Sequence, residues 1–172
     1  LGELKPGHEP GIEIRAKYTI LGEGCRGHLG KQIINKYNLS DGKDPQHYGI
    51  GFKEVWKLDK NLHEPGLVIH TNGWPTSFDT ASGSYFYHGE NDEAYIGYVV
   101  PLDYKNPHLS PFDEFQMWKT HPSIKKYLKD GERISYGARA LIKGGLQSLP
   151  KMEFPGGLLV GDNAGTLNFS KI

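Results

Sequence analysis

The sequence predicts an α+β fold, an antiparallel sheet with helices packed against it, and three observations carry that prediction. Four runs rich in aromatic and β-branched residues (47–57, 66–71, 84–88 and 93–100) are separated by turn clusters, the pattern of an antiparallel meander. Two helix patterns follow them, the first opened by Ser110-Pro111. At the start of the chain a β-type run passes through a glycine turn into a helical run.

Taken in order, residues 12–16 and 18–21 read as two short strands, and the second runs into Gly22-Glu-Gly-Cys-Arg-Gly27. From His28 the apolar residues Leu29, Ile33, Ile34 and Tyr37 recur at helical spacing, and Asn38 closes the run because it tolerates the left-handed conformation of a helix end. After the four sheet runs, Ser110 supplies an N-cap, Pro111 occupies the first helical position, and Asp113 completes a pattern like a capping box. Phe112, Phe115 and Trp118 are expected to face inward, with the helix ending near Thr120. Pro122 starts a second short helix through Leu128, and 133–139 and 157–160 read as strands.

Composition narrows the function. The chain has 172 residues, 37% of them hydrophobic, with 20 basic and 20 acidic side chains. A chain of this length buries roughly 70% of its unfolded surface, so its core needs neither disulfides nor a structural metal. The charge balance argues against nucleic acid as a partner, since a phosphate-backbone binder carries a surplus of Lys and Arg on one face. Cys25 is the single cysteine, which excludes a disulfide framework, a thiolate zinc site and an iron–sulfur cluster held by this chain. No run of 18 apolar residues and no basic-then-apolar leader is present, so neither a membrane span nor a signal peptide is expected, and peripheral membrane contact stays open. Glycines and prolines are spread as turn punctuation without a linker or repeat, and the chain reads as one folded unit. Leu1 at the start and an element opening at 161–165 read as cut ends.

Two places could hold a ligand. Gly22-x-Gly24-x-x-Gly27 lies between a strand and a helix, where bare backbone approaches a pyrophosphate; a plain tight turn explains the same residues equally well. The acidic residue that would hold a ribose belongs about 20 positions on, but Asp41 and Asp44 fall in a loop after the helix rather than at a strand end. At the other end the apolar 158–160 run meets Gly161-Asp162-Asn-Ala-Gly165, where Asp162 serves either as an N-cap or as a partner for a cofactor hydroxyl. Trp74, Tyr85, Phe86 and Tyr87, near the small residues Ala81-Ser82-Gly83, fit either a flat apolar pocket for a ring with carbonyl groups or simple sheet core. The eight histidines are scattered without metal-ligand spacing, no Ser, His and Asp grouping stands out, and Cys25 in its glycine turn reads as packed rather than nucleophilic.

Longer runs carry a family resemblance. Glu23-Gly-Cys-Arg-Gly-His-Leu29, Tyr48-Gly-Ile-Gly-Phe-Lys-Glu-Val-Trp56, Leu102-Asp-Tyr-Lys-Asn-Pro-His-Leu-Ser-Pro111, Glu114-Phe-Gln-Met-Trp-Lys-Thr-His-Pro-Ser123 and Tyr136-Gly-Ala-Arg-Ala140, in order and together with Phe154-Pro-Gly-Gly157 and Gly161-Asp162, resemble the electron transfer flavoprotein–ubiquinone oxidoreductase family over nearly the whole chain. The resemblance implies a ubiquinone-binding domain with an antiparallel sheet and packed helices at 41–150, flanked by pieces of a glutathione-reductase-type FAD domain at 1–40 and 151–172. It assigns Gly22, Glu23, Gly24, Gly161 and Asp162 to FAD, with Asp162 at the ribityl chain, and Ser82 and Gly83 to the quinone head group. No catalytic acid or base and no metal ligand is assigned.

The implied activity passes electrons from reduced electron transfer flavoprotein to ubiquinone through FAD and a 4Fe-4S cluster, at a mitochondrial inner or bacterial cytoplasmic membrane surface. The cluster cysteines and the N-terminal dinucleotide fingerprint are not among these residues, so the chain alone is expected to bind neither flavin nor cluster. A non-catalytic fragment and an FAD-dependent reductase of isoprenoid lipids are the alternatives. Two departures from the family pattern matter. Ser82-Gly83 stands where a Gly-Gly pair is usual, and Thr166 and Phe169-Ser170 stand where a larger apolar residue and Val-Pro are usual.

Overall fold

A computed structural model describes residues 2–167. Among these residues eight strands and three α-helices follow in chain order: β1 (Thr19–Leu21), α1 (His28–Lys36), β2 (Tyr48–Lys57), β3 (Val68–Asn72), β4 (Gly83–His88), β5 (Glu93–Pro101), α2 (Pro111–Trp118), α3 (Pro122–Leu128), β6 (Glu132–Ile142), β7 (Glu153–Phe154) and β8 (Gly157–Leu159).

The large sheet has the order β3-β4-β5-β2-β6, and every neighbouring pair is antiparallel. The α+β reading with an antiparallel sheet therefore holds. The simple meander does not, because it describes only β3, β4 and β5. β2, first of the set in sequence, inserts between β5 and β6 and pairs along its full length with both, from Gly49↔Pro101 to Lys57↔Glu93 on one side and from Tyr48↔Ile142 to Lys57↔Glu132 on the other. Side-chain alternation fixes which face a residue takes but not which strand lies beside it.

Helices α2 and α3 cover one face. Ile96, Tyr98 and Val100 of β5 and Phe86 of β4 pack beneath Phe115, Trp118, Ile124 and Tyr127. Ser110 caps α2 by accepting from the Asp113 N–H at 3.3 Å. The Trp118 indole N–H donates to Thr71 Oγ1 at 2.9 Å and ties the helix to β3. Phe112, expected inward, is 49% exposed and meets Phe52 edge-on from the first turn of α2.

Under α2 the buried Glu54 carboxylate receives the Lys119 ammonium on both oxygens, at 3.0 and 2.9 Å. The Trp56 indole N–H donates to it at 2.8 Å and the Arg133 guanidinium at 3.3 Å. A buried charge is tolerable only when its lone pairs are satisfied in this way.

The small sheet has the order β1-β8-β7, with β1 and β8 parallel and β7–β8 a hairpin. Leu21, Leu39, Leu159 and Ala164 form a second core beneath Ile33, Ile34 and Tyr37 of the α1 segment. Asn38 closes that segment with a positive φ of 50°. Residues 12–16 form no strand: Ile12 is 88% and Ile14 82% exposed, and among the described residues no strand pairs with them. The element expected at 161–165 is, among the described residues, one 3₁₀ turn over Gly161–Asn163. Phe169-Ser170 lies outside the described residues.

Candidate functional site

On the face of the large sheet away from α2 and α3, the exposed alternation places few side chains. The registers align Tyr85, Gly97, Lys53 and Gly137 in one row across β4, β5, β2 and β6, and Gly83, Val99, Gly51 and Arg139 in the next. Glycine inside a strand weakens it and marks a close approach of a ligand or another backbone. Three uses of that bareness are visible here. A Cβ at Gly137 would meet nothing within 4 Å, one at Gly51 would press Leu141 Cδ2 at 3.2 Å, and one at Gly97 would run into the Tyr85 ring. Above this floor opens a cavity of about 820 Å³. Its opposite wall is made by Gly24, Cys25, Gly161, Asp162, Thr166 and Leu167.

The wall is built from the two glycine junctions singled out in the sequence, and specific bonds join them to the end of β6. The Cys25 thiol donates to the Ala140 carbonyl at 3.1 Å. The Asp162 carboxylate accepts the Ile142 N–H at 3.1 and 3.3 Å. Asp162 thus caps a strand rather than a helix. Its burial raises the carboxyl above the usual range, against the opposing pull of that N–H. The Asn163 side chain donates to the Gly24 carbonyl at 3.3 Å and lies so close to Gly27 and Gly30 that a Cβ at either would stand 2.4 Å from its Nδ2. Gly24 and Gly161 both have positive φ, 81° and 59°, and open space where a side chain would point.

Glu23 has a different task. Its carboxylate accepts the N–H groups of Gly30 at 2.7 Å and Leu29 at 3.3 Å, which hold its carboxyl below the usual range. The free N–H groups of the first turn of α1 are thereby spoken for, so this helix start offers no cradle for a pyrophosphate.

Of the residues predicted for the site, Gly24, Gly161 and Asp162 meet in the wall; Gly22 and Glu23 precede Gly24 in the chain and are not in its lining. Gly83 lies on the floor face beside Val99, with only the Thr71 carbonyl, at 3.4 Å, near its would-be Cβ. Ser82 turns the other way. It is 1% exposed, its hydroxyl bonds Thr76 Oγ1 and accepts from the Tyr98 hydroxyl at 2.9 Å, and its N–H donates to the Thr80 carbonyl at 2.7 Å. The aromatic group also divides. Phe86 belongs to the helix-side core and Trp74 is exposed beside His121, whereas Tyr85 and Tyr87 stack on the cavity side, ring centres 4.8 Å apart. No cluster of three metal-ligating side chains exists among the described residues. Sequence reasoning missed the floor itself, Gly51, Lys53, Gly97, Gly137 and Arg139, although glycines within predicted strands were the available signal.

A family model described as "ETF-QO, ubiquinone-binding" matches residues 48–141. The chain is 59% identical over 172 residues to an electron transfer flavoprotein-ubiquinone oxidoreductase of Pseudomonas aeruginosa, covering 99% of this chain and 31% of that protein. It is 53% identical over 173 residues to the mitochondrial protein of that description in Sus scrofa, covering 99% of this chain and 28% of that one. The chain therefore spans about 30% of the length of the curated relatives it matches. Among solved structures, the flavin-dependent brominase Bmp2 aligns with 92% of this chain and 39% of its own at a TM-score of 0.52 and 19% identity, a likeness of fold alone.

Proposed function

Because this chain belongs to the electron transfer flavoprotein-ubiquinone oxidoreductase family, we propose that it forms the quinone-binding part of an enzyme that passes electrons from reduced electron transfer flavoprotein to ubiquinone. The observation that carries the reading is the meeting of two open glycine junctions with a glycine-bared sheet face around one cavity of about 820 Å³. Residues 41–150 act as the ubiquinone-binding unit, and 1–40 and 151–172 as pieces of an FAD-binding domain.

The wall suits FAD. Gly24 and Gly161 present backbone with open space before it, and Asp162 brings a carboxyl whose burial favours a hydroxyl partner over water. Gly22 and Glu23 act by holding that turn in shape. FAD, when bound, supplies the electron-carrying ring. The chain's own residues orient a flat ring against the floor and exclude water from it. The quinone lies along β4 near Gly83, with Ser82 fixing the strand start from the core side. Two electrons and two protons convert it to the quinol.

A 4Fe-4S cluster receives no set of ligands from this chain, which has one cysteine. Among the described residues no helix is long and apolar enough to cross a membrane. Contact with a mitochondrial inner or bacterial cytoplasmic membrane is peripheral in this reading and uses exposed apolar side chains such as Trp74 and Phe78, 47% and 106% exposed.

The test is made on the complete protein that carries this segment. A flavin band near about 450 nm, bleached by reduced electron transfer flavoprotein and restored by a short-chain ubiquinone, is the expected result. A flavoprotein whose band is bleached but never restored by ubiquinone overturns the quinone assignment.

A further inference from the structure

Tyr85 stands opposite Gly97 in the β4–β5 register, on the cavity face. Its ring end occupies the space a side chain at Gly97 would fill: a Cβ there would lie 2.4 Å from Cε1 and Cζ and 2.5 Å from the hydroxyl oxygen. The ring therefore leans across β5 and carries its hydroxyl over bare backbone toward Lys53, the next residue in the row. Stacking on Tyr87 at 4.8 Å holds it there.

The residue is 8% exposed, and its hydroxyl has no hydrogen-bond partner among the described residues. The hydroxyl is not one of the buried unpartnered atoms; it opens on the cavity, within reach of a ring lying on this floor. We propose that the Tyr85 hydroxyl donates a hydrogen bond to a carbonyl oxygen of the quinone ring bound on this floor, so that it helps select acceptors bearing a carbonyl at that end. The inference rests on the quinone reading above.

Two features favour the quinone over the flavin as acceptor. Tyr85 shares strand and face with Gly83, two residues away. The wall assigned to FAD is instead tied to β6 at Ala140 and Ile142, two strand spacings or about 10 Å beyond the hydroxyl over β5. Burial pushes the Tyr85 phenol up to about 12, so it stays protonated and remains a donor at neutral pH.

The experiment uses the complete protein carrying Tyr85→Phe, with steady-state reduction of a short-chain ubiquinone and, separately, flavin content and flavin reduction by reduced electron transfer flavoprotein. Losing one neutral hydrogen bond should raise KM for the ubiquinone about three- to tenfold. Flavin content, the rate of flavin reduction and turnover with a carbonyl-free one-electron acceptor such as ferricenium should stay unchanged. An unchanged ubiquinone KM overturns the inference, as does a parallel loss of flavin content or flavin reduction, which would make Tyr85 a structural or flavin-side residue. If the unsubstituted protein reduces ferricenium but no ubiquinone, the quinone reading falls first and takes the inference with it.

Discussion

Lys119→Met tests how α2 is held on the sheet. Lys119 and Glu54 have side chains 13% and 3% exposed, and the ammonium contacts both carboxylate oxygens. Without it, Glu54 keeps the Trp56 N–H and the Arg133 guanidinium, the latter 43% exposed and 3.3 Å away. Removing one partner of a buried pair costs about 3–5 kcal/mol, and the two remaining donors set the expectation at the lower end, about 3 kcal/mol. For a unit of this size that lowers the melting temperature by about 6–12 °C. Urea titration followed by tryptophan fluorescence is the assay, because Trp118 is buried and Trp56 donates to the affected carboxylate. Adding Glu54→Leu should return the double variant to within about 1 kcal/mol of the parent, since a well-packed apolar pair replaces a buried ion pair at little cost. A single variant within about 1 kcal/mol of the parent, or a double variant as unstable as the single one, refutes the argument.

Gly83→Ala should leave the fold intact, since its Cβ would meet only the Thr71 carbonyl at 3.4 Å; lowered ubiquinone reduction with normal flavin content is expected, and full activity would place the ring elsewhere. Gly97→Ala should displace the Tyr85 ring, which lies 2.4 Å from the new Cβ, and a change in tyrosine side-chain NMR signals checks it. His88 is buried among Phe86, Tyr127, His63 and Glu64, and burial with the adjacent His63 holds its pKa below 6.5. As the pH falls below 6.5 the unfolded chain takes the proton first, so stability should decrease until the folded imidazole is protonated too. Denaturation midpoints between about pH 5 and 7.5 measure this, and His88→Gln should flatten the trend.

Local chemistry made much of the fold readable. Ser110-Pro111 fixed the start of α2 and Asn38 the end of the α1 segment, because capping acts within a few residues. Residues 12–16 differ for the same reason: their alternating isoleucines match a strand, but a strand needs a partner, and among the described residues none pairs with them. The insertion of β2 between β5 and β6 was hidden because pairing is a long-range choice. At the site, the glycine junctions were legible as turns, and positive φ at Gly24 and Gly161 agrees. The floor was not, since Gly51, Gly97 and Gly137 become neighbours only through the register. Ser82 shows the limit of motif matching: the resemblance assigns it with Gly83 to the quinone, while its side chain serves the core beside Tyr98.

The parallel pairing of β1 with β8 has a consequence for how such an enzyme can change. Thr19 and Gly157 are register partners in adjacent strands, so the chain departs from and returns to nearly the same place, about 4.8 Å apart. Everything between them is an excursion with fixed ends. Ends held together in the folded state do not depend on the length of what they enclose, and longer enclosed segments add little closure entropy. A different sheet-and-helix unit grafted in place of β2 to β6, inside this excursion, would leave β1, β8, the Asn163 bridge to Gly24 and the Gly24 and Gly161 positions of the wall where they are. The side of the cavity proposed for FAD would then stay constant while the side proposed for the quinone is exchanged, which makes this junction a natural cut point for trying new acceptors.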